Sequence, residues 1–372
     1  MSSSNSNETE PWARSKQIAA EKKLAAERER AGLPEPEPDA ETTPTVEGDG
    51  DAEGDGAKKK VSRQTVSYLS TRFEEVGLNP NKRHGQNFLV DLNLIHLIAR
   101  SASVGPQDVV LEVGTGMGSL TGILAQDAAQ VITVEIDNYL YQMASEELEA
   151  FENIQMIQQD VLKNKNQFAP EVMEAIGQAL AKNPEFRFKL AANLPYNIAT
   201  PVIANLLRSE FVPDLMSVTI QKELADRITA APGSKDYGAL SVWVQSLCDA
   251  ETVRVMGPHV FWPRPKVDSA ILKITHRPEK RETIPDVDFY YAFVRAMFFH
   301  RRKFLRSVAI SAFKGQLDKP QVDSVLNAAG LKPDARTEQL QIAELQALCE
   351  LFRKQLCDVT GLERPRIANQ GQ

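Results

Sequence analysis

The stretch that decides the fold is VVLEVGTGMG, at residues 109–118. Residues 109–113 are apolar except for Glu112 and predict a buried strand, and a helix is predicted from Leu120. The glycines at 114, 116 and 118 predict a tight turn between them, where a ligand can approach the backbone closely. The stretch therefore indicates a strand–turn–helix unit with a ligand site at the turn.

The glycine spacing leaves the class of ligand open. A dinucleotide site expects G-x-G-x-x-G, whereas here the third glycine comes one residue early and Ser119 takes its position. Glu135 ends the next strand-like run, 21 residues after Gly114, where a carboxylate binds ribose hydroxyls in either kind of site. Asp160 ends the third run and is placed to accept from an adenine amine. Because parallel strands end at one edge of a sheet, these residues predict a single crevice.

Strand-like and helical runs alternate around this unit. This alternation predicts βαβ units and an open α/β sheet. The last two strand-like runs leave no room for a helix between them and predict a closing antiparallel hairpin. An additional helix is expected over Pro170–Ala181. The strand-like runs are 109–113, 131–135, 154–158, 188–192, 215–220, 252–256 and 267–275.

The pattern changes after His276. Residues 277–285 look like a charged linker, and helical spacing then predicts helices over 289–313, 321–329 and 342–356. The sequence thus predicts three parts, which are a disordered acidic tail at 1–65, an α/β catalytic domain at 66–276 and a small all-α domain at 277–372.

The charge is distributed unevenly between these parts. The formal net charge is −7, but residues 1–57 contain 14 acidic and 6 basic residues, and the other 315 residues contain 36 and 37. Residues 34–57 contain one Val and no other large apolar side chain, so they cannot bury enough surface to fold. The acidity belongs to the tail, and the nearly neutral remainder is compatible with a nucleic-acid partner.

Several other classes of protein are disfavoured. No apolar run reaches the length of about 18 residues that a transmembrane helix needs, and residues 1–10 lack the apolar segment of a secretory signal. The three cysteines and five histidines match neither a zinc spacing nor a disulfide framework. We expect a cytoplasmic protein with no bound metal and no membrane association.

The tetrapeptide Asn193-Leu194-Pro195-Tyr196 follows the fourth strand-like run. One chemistry that this tetrapeptide could serve is methylation of an exocyclic adenine amine. Such an amine is a poor nucleophile, because its lone pair is delocalised into the ring. The Asn193 side-chain oxygen and the Leu194 carbonyl could accept its N–H groups and localise that lone pair. Pro195 stiffens the turn, and Tyr196 offers a ring on which a base can stack. Such methylation needs neither a general base nor a metal.

Six motifs together resemble the KsgA/RsmA family, the S-adenosylmethionine-dependent dimethyltransferases of adenines in small-subunit ribosomal RNA. The resemblance extends from about Lys82 to Leu356 and implies a Rossmann-like methyltransferase sheet. Thr115 stands where the family often has Pro, and Arg264 stands where Pro is usual. The motifs are KRHGQNFL at 82–89, EVGTGMGSLT at 112–121, VEID at 134–137, QQD at 158–160, NLPYN at 193–197 and FWPRPKVDSA at 261–270.

The resemblance also implies roles for individual residues. Phe261 would hold a flipped target base opposite Tyr196, because a base must leave its stack for this chemistry. Asn193, Leu194, Pro195, Tyr196 and Phe261 form the implied catalytic set. The implied cofactor contacts are Asn87, Leu89, Gly114, Gly116, Glu135, Ile136, Asp160, Val161 and Asn193.

A cluster of basic residues marks the start of the predicted helical domain. Five of them fall within residues 295–306, and Arg295, Arg302 and Arg306 have the spacing of one helix face. Such cations contact RNA phosphates. Arg264 and Lys266 are expected near the rim of the active site. The predicted RNA contacts are Arg301, Arg302, Lys303, Arg306, Arg264 and Lys266.

The favoured interpretation is an enzyme that dimethylates two adjacent adenines in the 3′-terminal hairpin loop of 16S rRNA. Its partner would be an assembling 30S-type subunit, and the enzyme would act as a monomer. Two alternatives stay open, a large-subunit (23S) rRNA dimethyltransferase of the macrolide-resistance type and a non-catalytic RNA-binding or transcription-factor relative. An NAD-type oxidoreductase fits poorly, because of the glycine spacing.

Overall fold

The computed structural model describes residues 66–75, 80, 86–332 and 334–368. The predicted disordered tail at 1–65 lies outside these residues.

A seven-stranded sheet forms the centre of the described structure. Its strands are β2 Asp108–Val113, β3 Gln130–Glu135, β4 Ile154–Gln158, β7 Arg187–Asn193, β8 Leu215–Gln221, β9 Cys248–Met256 and β11 Ser269–His276. Their order is β4-β3-β2-β7-β8-β11-β9, and β11 runs antiparallel to both of its neighbours while the other pairs are parallel. This confirms the predicted open α/β sheet with a closing antiparallel hairpin.

Helices cover both faces of this sheet. Along β2, Val110 packs into one apolar cluster while Val109, Leu111 and Val113 pack into another, as the two-residue period of a strand requires. Burial on both faces explains why the strand has no polar alternation. The helices before the last strand are α1 Val66–Glu75, α2 Leu92–Ala102, α3 Ser119–Ala125, α4 Asn138–Leu148, α5 Pro170–Leu180, α6 Ala199–Leu206, α7 Lys222–Ile228 and α8 Ala239–Gln245. The additional helix expected over Pro170–Ala181 is α5.

Two short ladders lie outside the main sheet. β1 Phe88–Leu89 pairs antiparallel with β10 Phe261–Trp262, so that Phe88 faces Trp262 and Leu89 faces Phe261. β5 Leu162–Asn164 pairs with β6 Gln167–Phe168.

The C-terminal part is helical, as predicted, but two details differ. The predicted helix over 289–313 is wrong, because the structure has two helices joined by residues 299–304. A continuous helix would place Arg301 on the buried face of Tyr290, Val294 and Met297, and burying a guanidinium is costly. The predicted linker contains the short helix α9. These helices are α9 Pro278–Glu282, α10 Val287–Phe298, α11 Leu305–Ala312, α12 Lys319–Ala328 and α13 Ile342–Thr360.

The break also separates the basic residues. Arg295 lies on α10, Arg302 in the connection and Arg306 on α11, so the helix face they were predicted to share does not exist. The apolar core runs from the sheet into these helices as one cluster, with Met216, Tyr290 and Phe352 among its members. The boundary at residue 276 stays a prediction.

Within the described ranges, none of the helices is both long and apolar enough to cross a membrane. The same residues contain no cluster of three or more His, Cys, Asp or Glu side chains suited to a metal ion.

Candidate active site

A cavity of about 820 Å³, counting the space open to solvent, lies at the carboxyl ends of β2, β3, β4 and β7. This is the expected place for a ligand in an open α/β sheet. Its lining residues are Gln86, Asn87, Phe88, Val113, Gly114, Gly116, Val134, Glu135, Ile136, Leu140, Gln159, Asp160, Val161, Asn193, Leu194, Pro195, Tyr196, Asn197 and Ile198.

The glycine turn lines the cavity through Gly114 and Gly116. Gly114 has φ 83°, and a Cβ there would come within 3.4 Å of the Pro195 ring. Gly116 has φ 58°, and its Cβ would come within 3.3 Å of the Phe88 ring. Both positions require a left-handed backbone that side chains disfavour. The glycines therefore keep a space open that a side chain would fill.

The Glu135 carboxylate is fixed beside this turn. One oxygen accepts from the Gly116 N–H and the other from the Asp137 N–H, each at 2.9 Å. Burial raises the pKa of Glu135, and the two backbone donors work in the opposite direction. Asp160 accepts from the Leu162 N–H at 2.9 Å, which orients its carboxylate at the end of β4. Two strand-end carboxylates thus enter the cavity in fixed positions.

A buried polar network lies behind the turn. Glu112 accepts from the hydroxyls of Thr121 and Thr133, and the Thr133 hydroxyl lies 2.6 Å from that of Thr115. Burial raises the pKa of Glu112 to about 8. Thr115, which departs from the family pattern, thereby connects the turn to the adjacent strand. The sequence feature from which this network could have been predicted is Glu112, an acidic residue inside an otherwise apolar strand.

The Asn193 amide is held by another residue that lines the cavity. Its Nδ2 donates to the Asn87 carbonyl at 2.9 Å. A carbonyl can only accept, so this contact fixes which end of the amide is the NH₂ and leaves Oδ1 as the accepting end. Leu194 is buried, and its N–H donates to the Thr219 carbonyl at 3.1 Å. The turn is therefore anchored on both sides.

The Tyr196 ring is positioned from β11. Its hydroxyl shares a hydrogen bond with Ser269 Oγ, and Ser269 is fully buried. Burial raises the pKa of Tyr196, so the phenol stays neutral at physiological pH. Ser269 was not identified from the sequence, although it lies in the FWPRPKVDSA motif.

Most of the predicted site residues meet at the cavity. Leu89 and Phe261 do not line it, since they face each other across the β1–β10 ladder and pack into the core. Phe261 is only 2% exposed. The aromatic of this ladder that lines the cavity is instead Phe88, one residue from Leu89, and a two-residue strand gives too little alternation to predict this. The predicted residues that line the cavity are Asn87, Gly114, Gly116, Glu135, Ile136, Asp160, Val161, Asn193, Leu194, Pro195 and Tyr196.

Eight further lining residues were missed. Most of them are neighbours of predicted ones along the chain, and their apolar or amide side chains carry no chemical signature. They are Gln86, Phe88, Val113, Val134, Leu140, Gln159, Asn197 and Ile198.

The predicted RNA contacts differ in how they are held. Arg306 forms a two-pronged ion pair with Asp323, at 2.6 and 2.8 Å. Arg301 donates to Glu338 at 2.5 Å and to the Ser234 carbonyl at 3.0 Å. The other four, Arg302, Lys303, Arg264 and Lys266, are exposed.

Comparison with known proteins shows which family the chain resembles. A family model described as ribosomal RNA adenine dimethylase matches residues 77–348. The chain is 38% identical to ribosomal RNA small subunit methyltransferase A of Streptococcus pneumoniae (strain CGSP14), over 76% of this chain and 95% of the relative. It is 37% identical to the protein of that name from Streptococcus mutans, over 79% and 98%.

Two solved structures are similar in fold. A dimethyladenosine transferase from Plasmodium falciparum matches with TM-score 0.59 and 24% identity, over 71% of this chain and 97% of that one. The 23S rRNA methyltransferase ErmE matches with TM-score 0.50 and 26% identity, over 71% and 98%. Together with the family match and the curated relatives, the cavity at the strand ends leads to one conclusion: this chain belongs to the ribosomal RNA adenine dimethylase family.

Proposed function

We propose that this protein dimethylates the N6 amines of two adjacent adenines in the 3′-terminal hairpin loop of small-subunit rRNA, with S-adenosylmethionine as the methyl donor. The observation that carries the proposal is the NLPY turn at the cavity, with the Asn193 amide oriented by Asn87. The curated relatives at 37–38% identity support the small-subunit substrate.

The residues of the cavity fit the donor. Gly114 and Gly116 leave room for close approach to the backbone, Glu135 offers oxygens to ribose hydroxyls, and Asp160 offers one to an adenine amine. Val161 and Ile136 supply apolar surface for the adenine ring. When bound, S-adenosylmethionine supplies an electrophilic methyl group on a sulfonium sulfur.

The chain's own part in the reaction is to activate the target amine. Asn193 Oδ1 and the Leu194 carbonyl accept hydrogen bonds from the N–H groups of this amine. These bonds favour a pyramidal nitrogen and localise its lone pair. Acceptors that are fixed before the reaction cost no reorganisation when the barrier is crossed. The methylated nitrogen is positively charged and acidic, so its proton leaves without a general base on the chain.

A target base that has left the RNA stack requires a new stacking partner on the protein. Tyr196 offers its ring, and the hydrogen bond to Ser269 keeps that ring in position. For Phe261 to share this contact, its ring must leave the core. Phe88 already lies on the cavity wall, where its ring centroid is 6.2 Å from that of Trp262.

We propose that the enzyme acts as a monomer on an assembling 30S-type subunit. The residues that contact this subunit would be the exposed Arg264, Lys266, Arg302 and Lys303. Cys248, Cys349 and Cys357 are free thiols, which suits the reducing cytoplasm. Residues 277–372 would form the RNA-binding domain.

The test uses the full chain with tritiated S-adenosylmethionine and small subunits that lack the modification. Dimethyladenosine is then mapped on the rRNA. We expect label at two adjacent adenines near the 3′ end, and about 10²- to 10³-fold slower labelling with the Asn193→Ala variant. A folded wild-type protein that labels no RNA would refute the proposal.

The likeness to ErmE makes large-subunit rRNA the second candidate substrate. A parallel reaction with protein-free large-subunit rRNA separates the two. Label confined to the large-subunit RNA would keep the chemistry and overturn the substrate.

A further inference from the structure

The connection between α10 and α11, residues 299–304, is here called the 299–304 loop. It carries two exposed aromatic side chains, Phe299 at 57% and Phe304 at 48% exposure. The His300 ring lies edge-on to Phe299, with 4.7 Å between the ring centroids. Single exposed apolar residues are ordinary, but two exposed phenylalanines within six residues of one loop require an explanation.

Positive charge surrounds these rings. A shallow depression beside the loop is lined by five Lys or Arg side chains, one Glu and one His. The Glu is already paired with Arg301, at 2.5 Å. The lining residues are Lys235, His300, Arg301, Arg302, Lys303, Arg336 and Glu338. The depression therefore has a clear excess of positive charge next to exposed rings.

The loop is held in place by its neighbours. The Leu305 N–H donates to the Ala335 carbonyl at 2.8 Å, and Arg301 reaches the Ser234 carbonyl at 3.0 Å. The Arg336 guanidinium lies over the Phe304 ring, 5.7 Å from its centroid. Phe304 thus precedes an anchored backbone position and is covered on one side by a cation, and about half of its surface remains open to a second flat group.

We propose that the 299–304 loop is a stacking platform for unpaired RNA bases. Phe299 and Phe304 stack on bases, while Arg302, Lys303 and Lys235 contact the flanking phosphates. The inference deepens the proposed function, on which it rests for the class of partner.

The chemistry favours single-stranded RNA over other occupants. Rings interleaved with cations are the usual combination in proteins that bind single strands. A duplex hides the faces of its bases, and the four residues between the two rings are His, Arg, Arg and Lys, which do not suit an apolar protein surface. Phenylalanine has no hydrogen-bonding group, so the platform should show little preference for sequence.

The experiment measures binding of the full chain to three labelled probes: a 12-nucleotide oligo-adenosine RNA, the same backbone without bases, and a 12-base-pair RNA duplex. The variant is Phe299→Ala/Phe304→Ala. Stacking contributes about 5- to 150-fold in affinity per base. We expect the variant to bind the oligo-adenosine at least tenfold more weakly and the abasic and duplex probes as wild type does.

Two further variants sharpen this result. Phe299→Leu/Phe304→Leu keeps the apolar bulk without the rings and should show most of the same loss. Val253→Ala/Val255→Ala removes exposed apolar side chains from β9 and should change nothing. Unchanged affinity of the double alanine variant for the oligo-adenosine, or an equal loss with the abasic probe, would overturn the platform.

The methylation assay with small subunits keeps this failure separate from that of the proposed function. A wild-type enzyme that makes dimethyladenosine while the rings prove irrelevant removes the platform alone. A wild type that binds through the rings but makes no dimethyladenosine removes the proposed function alone.

Discussion

The cavity and the 299–304 loop differ in how their side chains are held. Around the cavity, Glu135 and Asn193 are fixed by backbone partners, and Tyr196 is fixed by a buried hydroxyl. In the loop, Phe299, Arg302 and Lys303 extend into solvent. Fixed groups can act on a reacting atom, whereas exposed charged groups gather a large partner. Substitutions in the cavity should therefore lower kcat or ligand affinity strongly, and substitutions of single exposed cations in the loop should weaken RNA binding modestly.

The largest effect is expected for Asn193→Ala. Losing one pre-positioned polar group at a reacting centre typically costs about 10²- to 10³-fold in rate. We expect kcat to fall by roughly that factor while the Kd for S-adenosylhomocysteine, measured by calorimetry, changes less than about tenfold. Asn193→Asp keeps an accepting oxygen but cannot donate to the Asn87 carbonyl. Its kcat should therefore lie between that of the wild type and that of Asn193→Ala. A Kd that rises as much as kcat falls would make Asn193 a cofactor ligand instead.

The next effect is expected at the glycine turn. Gly114→Ala and Gly116→Ala each place a Cβ in a left-handed backbone and against a ring of the cavity wall. Gly315→Ala is the matched control, since φ there is 81° with nothing within 4 Å of the added carbon. All three should lose about 1–2 kcal/mol of unfolding free energy. Only the first two should weaken S-adenosylhomocysteine binding, by tenfold or more, and equal affinity in all three would show that the turn does not contact the ligand.

The sequence predicts the positions of some site residues but not of others. Parallel strands end at one edge, so the spacing of Gly114, Glu135, Asp160 and Asn193 along the chain was enough to place them around one cavity. No such rule governs the helix break before Arg301, which depends on the cost of burying a charge against α10. Nor does spacing reveal that Phe88, rather than Phe261, lines the cavity, because that depends on the register of a two-residue ladder.

A third prediction concerns the buried network behind the cavity. The pKa of Glu112 is about 8 in the folded chain and 4.5 when the side chain is exposed, so folding binds a proton between these values. The stabilisation that comes from this proton is complete below pH 4.5 and is lost as pH rises through about 8. Between pH 5.5 and 7 the wild type should therefore lose about 2 kcal/mol of unfolding free energy. Glu112→Gln, measured by urea denaturation, should lack this slope, and parallel pH profiles for the two proteins would contradict it.

The smallest effect is expected for single arginines in and next to the loop, and it divides the predicted RNA contacts. Arg302→Gln should weaken RNA binding a few-fold and reduce the salt slope of log affinity by about 0.7–0.9, the value for one lost phosphate contact. Arg306→Gln is the comparison, since both prongs of that guanidinium are already bonded to Asp323 and a phosphate would have to displace them. Its salt slope should match that of the wild type. Equal slopes for both variants would mean that ion pairing does not decide which arginines reach RNA, and the contrast between held and free cations would fail.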